Sequence, residues 1–140
     1  AQLSPIMGVK ESAGSVEQVE KIKALVPDTF TIYSGDDGLT LPFMEKGAYG
    51  VVSVASHCAG LKIKEMMTLF AAGDRTNAEA INQLLEPLFE VLFITSNPTP
   101  VKAALNMMGF QVGSLRLPLI EATDAEKATI RQVLTNLKII

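Results

Sequence analysis

The sequence is poor in the residues that build disulfides and metal centres, since its 140 residues include one cysteine, Cys58, and one histidine. A single cysteine cannot form an intramolecular disulfide, and no cysteine and histidine residues recur at the spacing of a zinc site. The sequence therefore predicts no bound metal. The lack of a disulfide framework also fits a reducing compartment.

Long apolar runs and clusters of basic residues are also missing. No apolar run approaches the length of about 20 residues that spans a bilayer, and the first residues lack the basic start and apolar run of a signal peptide. The 12 Lys and Arg are scattered among 15 Asp and Glu, which gives a net charge of −3 and a pI near 5.1. We therefore expect a cytoplasmic protein with neither a membrane nor nucleic acid as its partner.

The composition does support a folded core, because 48% of the residues are hydrophobic and 19% are charged. The mean hydropathy of +0.28 is high for so short a chain. A small domain buries a limited share of its surface, so part of this apolar surface is expected to need a partner.

The first half of the sequence repeats a unit in which a short apolar run is followed by a segment with helical periodicity. The runs predict strands over 5–9, 29–33 and 50–54, and the periodic segments predict helices over 15–25, 39–46 and 59–72. Ser15 and Gln18 have the spacing of a capping box. Strands that alternate with helices imply parallel pairing, with helices covering the sheet. Three such units are part of a barrel or of an open sheet.

After Gly73 no further strand is predicted, and the rest of the sequence is expected to be helical. A helix over 77–93 contains Pro87, where a kink or break is expected. Thr99 is a predicted N-cap with Pro100 at the first helical position, and Thr123 with Glu126 predicts a capping box for the last helix. We therefore divide the chain into βα units over 1–73 and a helical domain over 74–140.

Ligands of parallel α/β proteins lie at the C-terminal ends of the strands, which makes Lys10 the first candidate residue. A lysine that closes an apolar strand must be desolvated, and desolvation frees the nucleophilic amine that imine formation requires. The alternative is a solvated lysine at the end of a strand beside Glu11. On spacing alone, the alternative is the better interpretation.

The segment from Ser34 to Asp37 follows the second predicted strand and contains Gly35. Its backbone N–H groups, with no side chain at Gly35 in the way, suit a carboxylate or carbonyl oxygen. The alternative is an ordinary turn in which Asp36 or Asp37 caps a helix. His57, Cys58 and Lys102 receive no catalytic role from their sequence contexts.

Five motifs occur in an order that resembles the C-terminal half of the dihydrodipicolinate synthase family, within the N-acetylneuraminate lyase and pyruvate-aldolase superfamily. The resemblance covers essentially the whole chain and reverses the preference on Lys10. The motifs are Gly8-Val9-Lys10-Glu11-Ser12, Ser34-Gly35-Asp36-Asp37, Gly50-Val51-Val52-Ser53-Val54, Asn97-Pro98-Thr99-Pro100-Val101-Lys102 and Leu115-Arg116-Leu117-Pro118-Leu119.

The resemblance implies the last three βα units of a (β/α)₈ TIM barrel, followed by a small all-helical domain. It also implies that Lys10 forms an imine with pyruvate, and that Gly35 and Val52 line the pyruvate pocket. The implied reaction joins pyruvate to aspartate semialdehyde in lysine and diaminopimelate biosynthesis, in a homodimer or homotetramer, without a metal or diffusible cofactor. Val52 stands where isoleucine is common in the family.

The same resemblance implies that the first five strands of the barrel lie outside this chain. Those strands would carry the tyrosine and threonine of a proton relay and a substrate-binding arginine. Neither Tyr33 nor Tyr49 matches the relay tyrosine. A complete barrel needs about 250 residues, so we expect a C-terminal fragment that pairs with a complementary half and is nearly inactive alone. Another keto-acid aldolase or lyase of the superfamily, or a non-catalytic assembly module, remains the alternative.

Overall fold

The computed structural model describes residues 5–140, which contain three strands and six helices. The chain folds into two compact units, with the boundary between Ser53 and Val54. The sequence-based division into 1–73 and 74–140 stays a prediction about domains. The boundary of the compact units lies earlier because the helix that follows the third strand packs against the next helix.

The first unit is a three-stranded parallel sheet with two helices. The strands β1 (Gly8–Glu11), β2 (Thr31–Ser34) and β3 (Gly50–Val51) lie side by side in chain order. This parallel arrangement confirms the prediction from alternating strands and helices. Each strand differs from its predicted range, however, because an apolar run does not show where the hydrogen-bonded ladder begins.

One face of this sheet is covered by helix α1 (Val16–Leu25) and helix α2 (Thr40–Glu45). The core on that side consists of Val19, Ile32, Phe43 and Ala48, with Val9 and four other partly buried apolar residues around them. Since neighbouring residues of a strand point to opposite faces, Val9 and Ile32 face the helices. Lys10 and Tyr33, which are register partners, therefore point to the other face.

The opposite face of the sheet is open within the described part of the first unit, residues 5–53. Val52 is 48% exposed just after β3, and Tyr49 is 70% exposed just before it. The ring of Tyr49 meets that of Tyr33 edge to face, with 5.6 Å between centroids. Apolar and aromatic side chains on this face agree with the expected excess of unburied apolar surface.

The helices of the first unit begin in different ways. Ser15 caps α1, because its hydroxyl accepts a hydrogen bond of 3.2 Å from the backbone N–H of Gln18, which is one of the two bonds of the predicted capping box. Helix α2 begins after Leu39, with no capping side chain. The alternative that Asp36 or Asp37 is the N-cap is therefore wrong.

The second unit consists of four helices: α3 (Ser56–Ala71), α4 (Arg75–Val91), α5 (Thr99–Met107) and α6 (Asp124–Asn136). Helix α3 packs on α4 and α5, while α6 packs on α4 and α5. The buried side chains are mostly aliphatic and come from all four helices, as in Met66, Leu88, Val101 and Ile130. This part of the chain is helical, as the sequence predicted for the segment after Gly73.

Several details of the helical unit differ from the predictions. Helix α4 continues through Pro87, so no break occurs there. Thr99 is the first residue of α5 and not its N-cap, because its buried hydroxyl donates to the carbonyl of Ile120 at 3.3 Å. Thr123 does form the predicted capping box with Glu126. None of the helices within residues 5–140 is both long and apolar enough to cross a membrane.

Candidate active site

The candidate site lies at the C-terminal ends of the three strands, on the open face of the sheet. Lys10 pairs with Tyr33 across β1 and β2, and Tyr33 pairs with Gly50 across β2 and β3. The ladder continues past the paired residues, since the N–H of Gly35 donates to Glu11 O and the N–H of Val52 donates to Ser34 O, both at 2.7 Å. Alternation along the strands then places Lys10, Gly35 and Val52 on one face.

Gly35 lies directly against the side chain of Lys10. A Cβ at position 35 would be 2.7 Å from Lys10 Cε and would clash with Ser12 Oγ. These contacts bring together two of the three residues expected at the site. They also give a steric reason for glycine at position 35, because any larger residue would push on the aliphatic end of Lys10.

The turn after Gly35 uses several of its backbone N–H donors in the fold, and its binding of a substrate oxygen through such groups stays a prediction. The N–H of Gly35 is used by Glu11 O in the sheet. The N–H of Asp36 donates to Ser34 Oγ at 3.1 Å, and the N–H of Gly38 donates to Asp36 Oδ1 at 2.9 Å. These three N–H groups are therefore already bonded, either to β1 or within the turn. What Gly35 contributes to a pocket is the space left by its missing side chain.

The end of β1 is held by the residue that follows Lys10. Glu11 is buried on the helix-covered side, and its Oε1 accepts a hydrogen bond of 2.5 Å from the N–H of Ala13. Its carbonyl accepts the N–H of Gly35 at 2.7 Å. Glu11 thus holds the turn after Lys10 and joins β1 to the Gly35 segment. Both bonds hold the backbone from which Lys10 projects.

Lys10 itself is exposed, and within the described residues its ammonium group forms no ion pair. The sequence analysis expected a desolvated amine at this position. The residues described in this chain do not supply that desolvation. Burial of Lys10 therefore requires atoms beyond those of residues 5–140.

Val52 follows β3 and is half exposed. Its backbone N–H joins it to Ser34, so its position is fixed relative to the Gly35 segment. An exposed aliphatic side chain on the same face as Lys10 suits one wall of a pocket for a small organic acid. The register of the three strands places the Val52 side chain on the same face as Lys10.

The other reactive residues of the sequence belong to the second unit. His57 and Cys58 are in the first turn of α3, and burial raises the pKa of the Cys58 thiol to about 11. Lys102, in α5, donates to the carbonyl of Ser114. Within the described 136 positions, 5–140, no three His, Cys, Asp or Glu side chains are grouped as metal ligands.

Sequence reasoning missed one residue of this site, Ser12. Its hydroxyl lies beside Gly35 and on the same side of it as Lys10 Cε. The available signal was the two-residue spacing from Lys10, since residues two apart on an extended segment share a face. Because the predicted strand ends at position 9, the residues after Lys10 counted as a connection to α1 and received no role.

A lysine at the end of a parallel strand, with a glycine of the next strand packed against it, is typical of the ligand-binding edge of α/β proteins. The model of the Dihydrodipicolinate synthetase family matches residues 1–137. The chain belongs to this family. The resemblance stated from its motifs is thereby confirmed.

Curated relatives with the name 4-hydroxy-tetrahydrodipicolinate synthase are similar along the whole chain. The relative from Thermosynechococcus vestitus is 49% identical over 140 residues, which are 100% of this chain and 47% of the relative. The relative from Desulforamulus reducens is 48% identical over 135 residues, covering 96% of this chain and 46% of its own length. The chain therefore spans about half the length of the curated relatives it matches.

Solved structures agree with the sequence comparisons. A dihydrodipicolinate synthase from Cyanidioschyzon merolae with lysine bound has a TM-score of 0.96 and 39% identity, over 99% of this chain and 47% of that one. The chloride-inhibited enzyme from Acinetobacter baumannii in complex with pyruvate has a TM-score of 0.89 and 32% identity, over 96% and 46%. The fold of this chain is thus that of about half of such a protein.

Proposed function

We propose that this chain is the C-terminal part of a lysine-dependent aldolase in which Lys10 binds pyruvate as an imine. The observation that carries the proposal is the contact between Lys10 Cε and Gly35 on the open face of the sheet. That contact joins the two residues to which the family resemblance gives the nucleophile and the pocket wall. The solved relative with bound pyruvate supports the choice of ligand class.

The proposed chemistry begins at Nζ of Lys10. Its lone pair attacks C2 of pyruvate, the carbonyl oxygen takes up one proton from Nζ and one from the solvent and leaves as water, and a protonated imine remains. The imine acts as an electron sink, so the methyl group loses a proton and the resulting enamine attacks the carbon of an aldehyde. Hydrolysis then releases the product and regenerates Lys10. No metal or diffusible cofactor takes part in this scheme.

Gly35 and Val52 have different roles in the proposed pocket. Gly35 provides room beside Lys10, where a Cβ would press on the lysine side chain. Val52 contributes an apolar wall next to the methyl group of pyruvate. The contacts that fix both residues are backbone hydrogen bonds of the sheet, so the pocket is positioned by rigid structure rather than by a loop.

The remaining half of a (β/α)₈ barrel is proposed to cover the open face of the sheet. Three strands cannot close a barrel, and free sheet edges are normally paired or covered. The half-exposed side chain of Val52 on this face favours such a cover. The cover would also desolvate Lys10 and bring acid–base groups, which typically contribute about 10²–10⁴-fold to a rate. The 140 residues alone should therefore be nearly inactive.

The second substrate is proposed to be aspartate semialdehyde, in lysine and diaminopimelate biosynthesis, on the strength of the names of the curated relatives. We also propose that the intact protein is a homo-oligomer, or that this chain pairs with its complementary half. Another keto acid or aldehyde is the alternative, since the residues that choose the second substrate are expected to lie mostly in the missing half. Comparing turnover of aspartate semialdehyde with that of sugar-acid substrates by the intact protein decides between them.

The test is reductive trapping of pyruvate. The intact protein, comprising these residues and the segment that completes the barrel, is incubated with pyruvate and borohydride and then digested with trypsin. Reduction of an imine adds the mass of pyruvic acid less one oxygen atom. A modified Lys10 also resists trypsin, so the 11–21 peptide disappears.

Lys10→Ala and the matched Lys102→Ala variant are treated in parallel. We expect the adduct in wild type and Lys102→Ala, and none in Lys10→Ala. A folded intact protein with no adduct, or with the adduct on another lysine, would contradict the proposal and favour the non-catalytic assembly module. Running the 140-residue chain beside the intact protein shows whether the missing cover is needed to activate Lys10.

A further inference from the structure

We infer that Ser12 is a further catalytic residue, whose hydroxyl hydrogen-bonds the C2 oxygen of the keto acid while the imine forms on Lys10. This inference rests on the proposed function. It adds a role for a residue to which neither the sequence motifs nor the comparisons assign one.

Ser12 lies directly beside Gly35. A Cβ built on Gly35 would meet Ser12 Oγ, Lys10 Cε and Ser12 Cβ as its three nearest atoms. Ser12 Oγ and Lys10 Cε therefore lie beside the same point of the backbone, and Nζ is one bond beyond Cε. Carbon C2 of a bound keto acid is bonded to Nζ, so its oxygen comes within reach of a hydroxyl at this place.

The hydroxyl of Ser12 is also available. Ser12 is exposed, and its side chain forms no hydrogen bond with other residues of the described range 5–140. Other donors around Gly35 are in use, since the N–H of Gly35 is bonded to Glu11 O and that of Asp36 to Ser34 Oγ. Ser12 is thus a donor that the first unit offers next to Lys10.

The chemistry at C2 requires such a donor. When Nζ attacks, the π electrons of the carbonyl move to oxygen, which takes up one proton from Nζ and one from the solvent and then leaves as water. A hydrogen bond from Ser12 stabilises the charge that develops on this oxygen, and Ser12 keeps its own proton. Loss of one preorganised donor to a developing oxyanion costs about 10²–10³ in rate where it has been measured, and one ordinary hydrogen bond accounts for roughly tenfold.

This role separates the rate of imine formation from its equilibrium. The finished imine no longer carries the C2 oxygen, so Ser12 loses its partner once water has left. Removing the hydroxyl should slow both the formation and the hydrolysis of the imine. The fraction of Lys10 modified at equilibrium should stay the same, a result that a general packing defect would not give.

The test uses the intact protein and pyruvate, with imine formation followed by rapid quenching into borohydride and mass spectrometry of Lys10. Ser12→Ala removes the hydroxyl, Ser12→Thr retains it, and Ser114→Ala serves as the control at another exposed serine. Thermal unfolding of each variant checks the fold. We expect imine formation to slow roughly tenfold or more in Ser12→Ala, with rates near wild type in the other two.

The outcomes distinguish this inference from the proposed function. Wild-type rates in Ser12→Ala, with a normal adduct on Lys10, would overturn the role of Ser12 and leave the aldolase proposal intact. An equal loss of rate in Ser12→Ala and Ser12→Thr would overturn it too, because the hydroxyl would then not be responsible. Failure of wild type to form any adduct on Lys10 would overturn both.

Discussion

The contact between Gly35 and Lys10 can be tested by adding a single methyl group to the site. In Gly35→Ala the new Cβ would lie 2.7 Å from Lys10 Cε and 3.0 Å from Ser12 Cβ, and it would clash with Ser12 Oγ. Carbon atoms in ordinary van der Waals contact are about 3.5–4.0 Å apart. The side chain of Lys10 must therefore move by about 1 Å or rotate.

The fold should tolerate this substitution. Gly35 does not have a positive φ, so alanine is compatible with its backbone, and the loss of glycine freedom in the unfolded chain favours folding by about 0.4–1 kcal/mol. Lys10 and Ser12 are exposed and can rotate, at about 0.5–1.5 kcal/mol for each strained side chain. These effects largely cancel, and we expect the free energy of unfolding to change by no more than about 2 kcal/mol.

The rate of imine formation should change much more than the free energy of unfolding. A misplacement of about 1 Å at a reacting group can cost about 10²-fold in rate, and Cε carries the nucleophilic nitrogen. We therefore expect trapping of pyruvate on Lys10 of the intact protein to slow by about that factor in Gly35→Ala. Denaturant unfolding and borohydride trapping of the same preparations provide the two measurements.

Gly38→Ala is the matched control for this experiment. A Cβ on Gly38 would meet only Asp36 Oδ1, at the ordinary distance of 3.5 Å. We expect Gly38→Ala to trap pyruvate at the wild-type rate. Trapping by Gly35→Ala at the wild-type rate, in a protein of normal stability, would refute the reasoning that Gly35 sets the position of Lys10.

Two further predictions concern the helical unit. Because burial raises the pKa of Cys58 to about 11, its alkylation by iodoacetamide at pH 8 should be roughly a hundredfold slower than that of a thiol with the ordinary value, and should accelerate as the pH approaches 11; reaction at the ordinary rate would contradict this. Thr123→Ala should lower the free energy of unfolding by about 0.5–2 kcal/mol through loss of the α6 cap. Backbone and side-chain hydrogen bonds from Thr123 lower the pKa of Glu126. The contribution of Glu126 to the free energy of unfolding is therefore present above its usual pKa, and it is lost as the pH falls through the lowered value. Acid titration of wild type and Thr123→Ala should show the difference in stability shrinking at low pH, and a constant difference would count against the capping box.

Helix ends were predicted well where a side chain makes the cap locally. Ser15 accepts from Gln18, and Thr123 and Glu126 bond reciprocally, as their three-residue spacing indicates. Thr99 shows the limit of this logic. Its hydroxyl bonds to Ile120, which is 21 residues away, so a residue with the chemistry of a cap was used for a tertiary contact that no local pattern encodes.

The turn after β2 shows a second limit. Its glycine suggested free N–H groups for a ligand, yet the partners of those groups come from β1 and from the turn itself. A sequence shows how many backbone donors a turn contains, because every residue except proline has one. Only the folded chain shows which of them are already bonded.

The sequence by itself determined the order of strands and helices, the parallel pairing and the choice of Lys10 as the candidate residue, because periodicity, crossover length and ordered motifs are properties of the chain alone. The tertiary structure decided which residues touch Lys10. Gly35 and Ser12 became its neighbours because β1 and β2 pair in one particular register, and a shift of one residue would move Gly35 away from the lysine. Register depends on the packing of Val19, Ile32 and Phe43 between sheet and helices, which involves residues distant in the sequence.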